Sequence, residues 1–220
     1  TPVYYADGTY GDPNDYLAGS SNLFNPQVTL DFFDQTSRNY RMTGNVFAEA
    51  KFLDNFTFRT SVGGDFGENE LRNYSPEYAA TLAQRRSISL LRRERAETRI
   101  WILENTLTYD NQEDEDHGIK VMIGQGAQRY RFYRMEATAE GVPNNSDADH
   151  YLTLGDPGSL FVDDEGDLST VASYFARVNY SFRDRYLLTA SFRADGSSKF
   201  GADDRWGYFP SIGVGWVISE

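Results

Sequence analysis

The chain has 220 residues and carries 21 Lys and Arg against 33 Asp and Glu, a formal charge of −12. That balance argues against a nucleic-acid partner, which needs a basic patch to neutralise phosphates, and the lack of any cysteine removes disulfides, thiolate metal sites and Cys nucleophiles together. Fifteen Tyr, fifteen Phe, three Trp and nineteen Gly beside only seven Pro favour strands over helices. Mean hydropathy is −0.59, and no apolar run is long enough for a membrane helix. The opening, Thr1 to Tyr10, is polar and lacks an apolar leader. The expectation is therefore a cytoplasmic protein or a mature or partial chain.

Period-two alternation begins at Arg41. Met42, Gly44, Val46, Ala48, Ala50 and Phe52 alternate with Arg41, Thr43, Asn45, Phe47, Glu49 and Lys51. After Asp54–Asn55 it restarts as Phe56, Phe58, Thr60, Val62, Gly64 and Phe66 against Thr57, Arg59, Ser61, Gly63 and Asp65, so a tight hairpin is expected there. A third run covers about Ala96 to Tyr109, with Trp101, Leu103, Leu107 and Tyr109 on one face. A fourth covers Gly118 to Arg131, with Ile119, Val121 and Ile123 alternating with Lys120, Met122 and Gly124.

In the fifth run, Tyr174, Ala176, Val178, Tyr180 and Phe182 alternate with Phe175, Arg177, Asn179, Ser181 and Arg183. In the sixth, Tyr186, Leu188, Ala190 and Phe192 alternate with Leu187, Thr189, Ser191 and Arg193. The seventh sets Trp206, Tyr208, Pro210, Ile212, Val214, Trp216 and Ile218 against Gly207, Phe209, Ser211, Gly213, Gly215, Val217 and Ser219. Seven strands of about ten to fifteen residues are long for a soluble domain, whereas about nine to eleven cross a bilayer when tilted. Short and long connections alternate, as in an outer-membrane barrel with turns at one rim and loops at the other. On this reading 1–37, 67–95 and 132–170 are extracellular loops, with 193–205 a shorter one. The aromatics near the strand ends, Tyr180, Phe182, Tyr186, Trp206, Tyr208 and Trp216, suit an interfacial girdle. The alternative is a soluble carbohydrate-binding β-sandwich whose aromatic face is core.

Chemistry-bearing clusters are few. Residues 136–170 hold nine acids and no Lys or Arg. Asp163, Asp164, Glu165 and Asp167 would suit calcium, but the spacing of an EF-type loop is absent, so a solvated charged loop is expected. Glu113, Glu115, Asp116 and His117 fall on a short turn, where a hydrated cluster is expected. Gly124-x-Gly126 lacks the third glycine of a nucleotide fingerprint, Arg129 standing there. Arg85, Arg86, Arg92, Arg93 and Arg95 are the one basic run. They suit an acidic substrate or anionic glycolipid headgroups, or they form an ordinary charged loop balanced by Glu68, Glu70, Glu77 and Glu94. Tyr4, Tyr5, Tyr10, Tyr16, Tyr74, Tyr78 and Tyr151 could stack on sugar rings or contact a lid. No nucleophile, acid pair or G-x-S-x-G elbow selects a catalytic site, so no catalytic, cofactor or metal residue is assigned. The polar positions Arg59, Asp65, Arg177, Asn179 and Arg193 suit a hydrated lumen.

The C-terminal stretch is more specific. Asp184–Arg193 (DRYLLTASFR), Asp195–Gly201 (DGSSKFG) and Arg205–Ser219 (RWGYFPSIGVGWVIS) form one ungapped motif. It closely resembles two adjacent barrel strands and their loop in SusC-like (RagA-type) TonB-dependent transporters of Bacteroidetes outer membranes. Arg41–Val62 resembles an earlier hairpin of the same family, less distinctively.

The resemblance implies an all-β fold, antiparallel strands forming part of a large transmembrane barrel, with residues 1–220 one partial barrel of about seven strands. It also implies outer-membrane localisation, uptake of oligosaccharides or, less favoured, peptides, a SusD-like surface lipoprotein as lid, contact with outer-membrane lipid, and coupling to TonB through a plug that nothing here resembles. An internal fragment without enzymatic activity is the expectation.

Overall fold

A computed structural model describes residues 2–15, 23–111, 116–143 and 150–218. Among these, seven long strands form one sheet in the order β1-β2-β5-β6-β7-β8-β9, so neighbours in space are neighbours in sequence apart from one small hairpin. The long strands are β1 (Asp34–Phe52), β2 (Phe56–Ser75), β5 (Leu90–Asn111), β6 (His117–Glu140), β7 (Phe161–Phe182), β8 (Tyr186–Ser197) and β9 (Trp206–Trp216). β3 (Tyr78–Ala79) and β4 (Arg85–Arg86) pair with each other.

The seven expected strands are present, but five of them run 19 to 24 residues, well past their expected ends. Residues 67–75, 90–95, 132–140 and 161–170, expected in long loops, are strand. The reason is electrostatic. Charged residues interrupt the alternation here, so no continuous hydrophobic period marks these ends, and cross-strand ion pairs join them beside a small apolar core. Arg95 pairs with Glu68 at 2.8 Å, Arg92 with Glu136 at 2.9 Å and Arg134 with Glu165 at 3.2 Å.

The first tight turn is displaced by one residue from the Asp54–Asn55 expectation, and a second falls at Arg183–Asp184. Leu53 and Asp54 have φ 49° and 57°, and Arg183 and Asp184 both have φ 50°. Two successive left-handed residues make the type I′ turn whose twist matches a hairpin.

One helix, α1 (Pro26–Phe32), precedes the strands. Asn25 caps it, its side-chain oxygen accepting from Gln27 N at 3.0 Å, and Pro26 takes the first turn, where no N–H is needed.

The chain divides into two compact units. One holds Thr1–Tyr40, Glu68–Ala96 and Tyr133–Glu165; the other holds Arg41–Gly67, Glu97–Phe132 and Gly166–Glu220. The first has a small core of Tyr74, Leu91, Ala139 and Val142, with Leu152 against it. Tyr74 is tied there by its hydroxyl, which donates to the Val142 carbonyl at 3.1 Å, and Ser89 Oγ donates to the same oxygen at 2.6 Å. In the second unit the large apolar side chains face outward instead.

Candidate functional site

The two faces of the second unit are set by register. Across β7, β8 and β9, Phe182, Tyr186 and Trp216 lie abreast, as do Val178, Ala190 and Ile212, and Tyr174, Ala194 and Tyr208. Residues directly opposite share a face, so this face is apolar throughout and aromatic at both ends. Its centre is open: Ile212 and Val214 are 76% and 82% exposed. Aromatic rings also gather where the short turns are. Phe52 lies 5.7 Å from Phe56, Phe56 5.0 Å from Tyr109, Phe182 6.3 Å from Tyr186, and Tyr186 6.4 Å from Trp216. The eleven residues of β9, Trp206 to Trp216, extend about 33 Å at about 3.3 Å each. At the tilt of about 40° usual in such barrels they cover about 25 Å of height, the thickness of the apolar band of an outer-membrane barrel.

The opposite face is polar. Phe175, Arg193 and Phe209 lie abreast, followed by Arg177, Ser191 and Ser211, then Asn179, Thr189 and Gly213. Arg193 is held by Asp195 at 2.7 Å and by Ser173 Oγ at 3.0 Å, with its guanidinium 5.5 Å from the Phe175 ring. Thr189 Oγ1 donates to Asn179 at 3.1 Å. Lys120 pairs with Asp110 at 2.7 Å, and Arg41 with Asp65, both of the Arg41 contacts coming from nitrogens of one guanidinium. Phe47, the apolar exception among the odd positions of its run, lies 4.0 Å beneath the Arg59 guanidinium. Of the polar positions expected on a hydrated face, Arg177, Asn179 and Arg193 lie in these rows, while Asp65 pairs with Arg41 and Arg59 sits over the Phe47 ring.

Gly124 also finds its purpose on this face. A Cβ there would stand 2.4 Å from the Phe175 ring, so the glycine exists to let that ring lie on the strand. Gly126 is under no such demand, since a Cβ there would meet nothing closer than 3.7 Å.

In the first unit, Arg92 and Arg134 interleave with Glu94, Glu136 and Glu165. Arg72 pairs with Asp34 at 2.7 Å and lies 2.7 Å from Nδ1 of the buried His150, whose ring stacks on Tyr74 at 3.8 Å. Arg93 donates to the His150 carbonyl at 2.8 Å. A cavity of about 570 Å³ is lined by Arg38, Arg72, Arg93 and Arg95 with Glu70 and Leu152. The basic run is therefore split: Arg85 and Arg86 belong to the β3–β4 hairpin, and the others are strand residues engaged with acids or a carbonyl.

Three of the seven loop tyrosines fall in or beside one aromatic cluster. Tyr4 and Tyr10 are 5.2 Å apart and both donate to Oδ2 of Asp31, at 3.1 and 2.8 Å. Phe32 lies 6.0 Å from Tyr10 and stacks on Tyr78 at 4.4 Å. The hydrogen bond to Asp31 pushes the Tyr10 hydroxyl up to about 12. Desolvation, then the same carboxylate, raises Tyr4. Donation from Tyr10 first, and then from Gln27, holds Asp31 below the usual carboxylate range. Tyr5 hydrogen-bonds Asp15 and accepts from Asp12 N at 2.9 Å. Tyr74 is core, Tyr151 is exposed, and Tyr16 lies outside the described residues. Asp31 and Phe32 were missed in the sequence because α1 was not anticipated; the Asn25-Pro26 cap was the available signal.

The acids once considered for calcium lie in β7, where successive side chains point to opposite faces and so diverge. Glu165 engages Arg134, Asp167 pairs with Lys199 at 3.2 Å, and Tyr133 donates to Asp164 at 3.4 Å. Glu113 and Glu115 lie outside the described residues. Asp116 pairs with Arg183 at 2.8 Å, and His117 lies 2.7 Å from the Tyr180 hydroxyl. Among the described residues no three His, Asp or Glu side chains come together as metal ligands.

No family model matches the chain. Over all 220 residues it is 27% identical to a TonB-dependent receptor of Formosa agariphila, covering 22% of that protein. Over 52 residues, 24% of this chain and 5% of the relative, it is 56% identical to the TonB-dependent receptor SusC of Bacteroides thetaiotaomicron. The fold matches the RagAB peptide transporter with a TM-score of 0.82, at 22% identity, over 95% of this chain and 23% of the other. The chain thus spans about a fifth of the length of the relative it matches end to end. A two-faced antiparallel sheet with exposed apolar and ordered polar sides, joined to this likeness, makes the chain similar to a section of the β-barrel of SusC-like TonB-dependent receptors.

Proposed function

We propose that this section forms part of the wall of an outer-membrane importer for oligosaccharides, with the polar face lining the hydrated lumen and the long connections outside the cell. One observation carries the reading: the registered alternation of β7, β8 and β9 puts Arg177, Asn179 and Arg193 on one side and an unbroken apolar row on the other. A hydrated pore accommodates the first and hydrocarbon the second. The aromatic cluster of Tyr4, Tyr10, Phe32 and Tyr78 beside the ionised Asp31 supports a sugar ligand, since flat rings stack on sugar faces and a carboxylate accepts their hydroxyls. In the whole protein a SusD-like lipoprotein would close the outer mouth, and TonB would act through a plug beyond this section. Capture, transport and release by the protein involve no covalent chemistry at these residues.

A peptide substrate is the second reading, favoured by the fold likeness to a peptide transporter. The test is uptake by cells expressing the full-length protein, supplied separately with labelled oligosaccharides and oligopeptides. Uptake of oligosaccharides, reduced several-fold by Tyr10→Ala with Phe32→Ala, supports the first reading. Uptake of peptides alone replaces it with the second, and uptake of neither overturns both.

A further inference from the structure

The arginine-lined cavity of the first unit, about 570 Å³, is fixed to one side of its strands by cross-strand contacts. On β5 and β6 the even positions meet, Arg92 with Glu136 and Arg134 with Glu94. On β1 and β2 the odd positions meet, Ser37 with Asn69 at 3.2 Å and Gln35 with Asn73 at 3.1 Å. The alternate positions therefore take the opposite side: Arg38 of β1, Glu70 and Arg72 of β2, Arg93 and Arg95 of β5. The Arg95–Glu68 bridge at 2.8 Å and the packing of Tyr74 with Leu91 and Ala139 join these sets into one side. Further along the same strands, the same alternate positions are apolar: Phe58, Val62 and Phe66 on β2, Trp101, Leu103 and Leu107 on β5.

Charge on this side is not balanced. Arg72 is paired with Asp34 and Arg95 with Glu68, which holds both guanidiniums in place. Arg38 has no side-chain partner among the described residues, and Arg93 meets the His150 carbonyl rather than an acid. The Glu94 carboxylate is turned to the other side by Arg92 and Arg134. Among the described lining residues that leaves Glu70 alone against Arg38 and Arg93. A guanidinium fork matches the oxygens of a phosphate, and a cavity of this size admits a sugar ring. Met135 and Leu152 give it an apolar wall for the ring face, and Glu70 accepts from sugar hydroxyls.

We propose that this cavity binds the phosphorylated sugar headgroup of an outer-leaflet glycolipid, with the phosphate on Arg38 and Arg93. The inference rests on the barrel-wall reading, in which the apolar positions of each strand face lipid, so that acyl chains continue along the row below the arginines. A carried substrate would meet the other side instead, where Arg92 and Arg134 are already closed by Glu94, Glu136 and Glu165. A free sugar phosphate offers the same chemistry without the chains, and the test separates the two.

The test measures binding to the full-length protein in mild detergent, with an acylated, diphosphorylated glucosamine disaccharide as probe. Removing its phosphates, or introducing Arg38→Gln with Arg93→Gln, is expected to weaken binding by about tenfold or more. Arg38→Gln alone breaks no described contact and is expected to give a smaller loss in the same direction, while the polar-face control Arg59→Gln gives none. Equal binding of the phosphorylated and dephosphorylated probes overturns the proposal, as does undiminished binding by the single and double variants. Glucosamine 1-phosphate displacing the probe at equal concentration also overturns it, and gives the site to a free sugar phosphate. Uptake by cells expressing the same protein is followed in parallel. Uptake without glycolipid binding overturns this inference alone; glycolipid binding without uptake of either substrate supports it and overturns the importer reading alone.

Discussion

At the residue scale, the two type I′ turns differ in what holds them. Arg183, at φ 50°, is tied down by its backbone N–H and its guanidinium, both of which reach Asp116. Leu53, at φ 49°, is 78% exposed and its side chain has nothing comparable. A left-handed leucine costs about 1 kcal/mol that an asparagine largely avoids. Leu53→Asn is therefore expected to stabilise the full-length barrel by about 1 kcal/mol, read as a higher urea midpoint in detergent. The sequence shows a turn near Asp54, because Asp and Asn favour turns, but which two residues go left-handed is decided by the strand register on either side.

A second residue-scale prediction concerns the phenols bonded to Asp31. Tyr10 titrates above its ordinary value, so the stabilisation it provides is intact below pH 10 and lost as pH rises through about 12. Asp31 is depressed, so its contribution is present above the ordinary carboxylate range and lost as pH falls through its lowered value. The absorbance difference at alkaline pH between the full-length protein and its Tyr10→Phe variant isolates this one phenol. It is expected to ionise near pH 12, and nearer 10 once Asp31→Ala removes the acceptor and its charge. A transition near 10 in both backgrounds would show that the bond does not form.

At the element scale, what could be read and what could not divides along polarity. β8 and β9 were placed within a few residues because one face is continuously apolar, from Tyr186 to Phe192 and from Trp206 to Trp216. The outer ends of β2, β5, β6 and β7 were not, because Glu68, Arg92 to Arg95, Arg134 to Glu136 and Asp163 to Asp167 break the apolar alternation there. Their strand character comes from pairing with each other, which no single segment displays. The seating of residues 141–143 and 150–160, the described parts of the connection after β6, was equally invisible, since it depends on Tyr74, 68 residues before Val142, reaching the Val142 carbonyl. Tyr74→Ala is expected to cost about 3–5 kcal/mol locally, whereas Tyr74→Phe costs about 1 kcal/mol because Ser89 still bonds Val142. Hydrogen exchange at Gly141 and Asp156, whose amides bond the Ser89 and Glu140 carbonyls, should quicken strongly in the alanine variant and little in the phenylalanine one. Equal protection in all three proteins would mean that the connection is held by something other than the tyrosine.

At the scale of the whole molecule, the same sheet must face two solvents, and neighbouring residues of one strand report on them separately. Ile212 lies abreast of Ala190 and Val178, and Ser211 abreast of Ser191 and Arg177. A soluble sandwich would bury the isoleucine in its core and expose the serine to water, so arginine at 212 would abolish folding even without a membrane. In a barrel wall the arginine at 212 meets hydrocarbon near mid-depth, at a cost of about 2–4 kcal/mol, while an arginine at 211 joins a hydrated, already charged surface at little cost. Ile212→Arg is thus expected to lower the stability of the full-length protein folded into lipid vesicles by that amount, and Ser211→Arg to change it by less than about 1 kcal/mol. The penalty should shrink when Ile218, in step with Ile212 along the chain and beyond the aromatic row at Trp216, is substituted instead, because it fades toward the interface. Similar losses at 211 and 212 would mean that the polar face is packed rather than hydrated, and the lumen would have to be sought elsewhere on the protein.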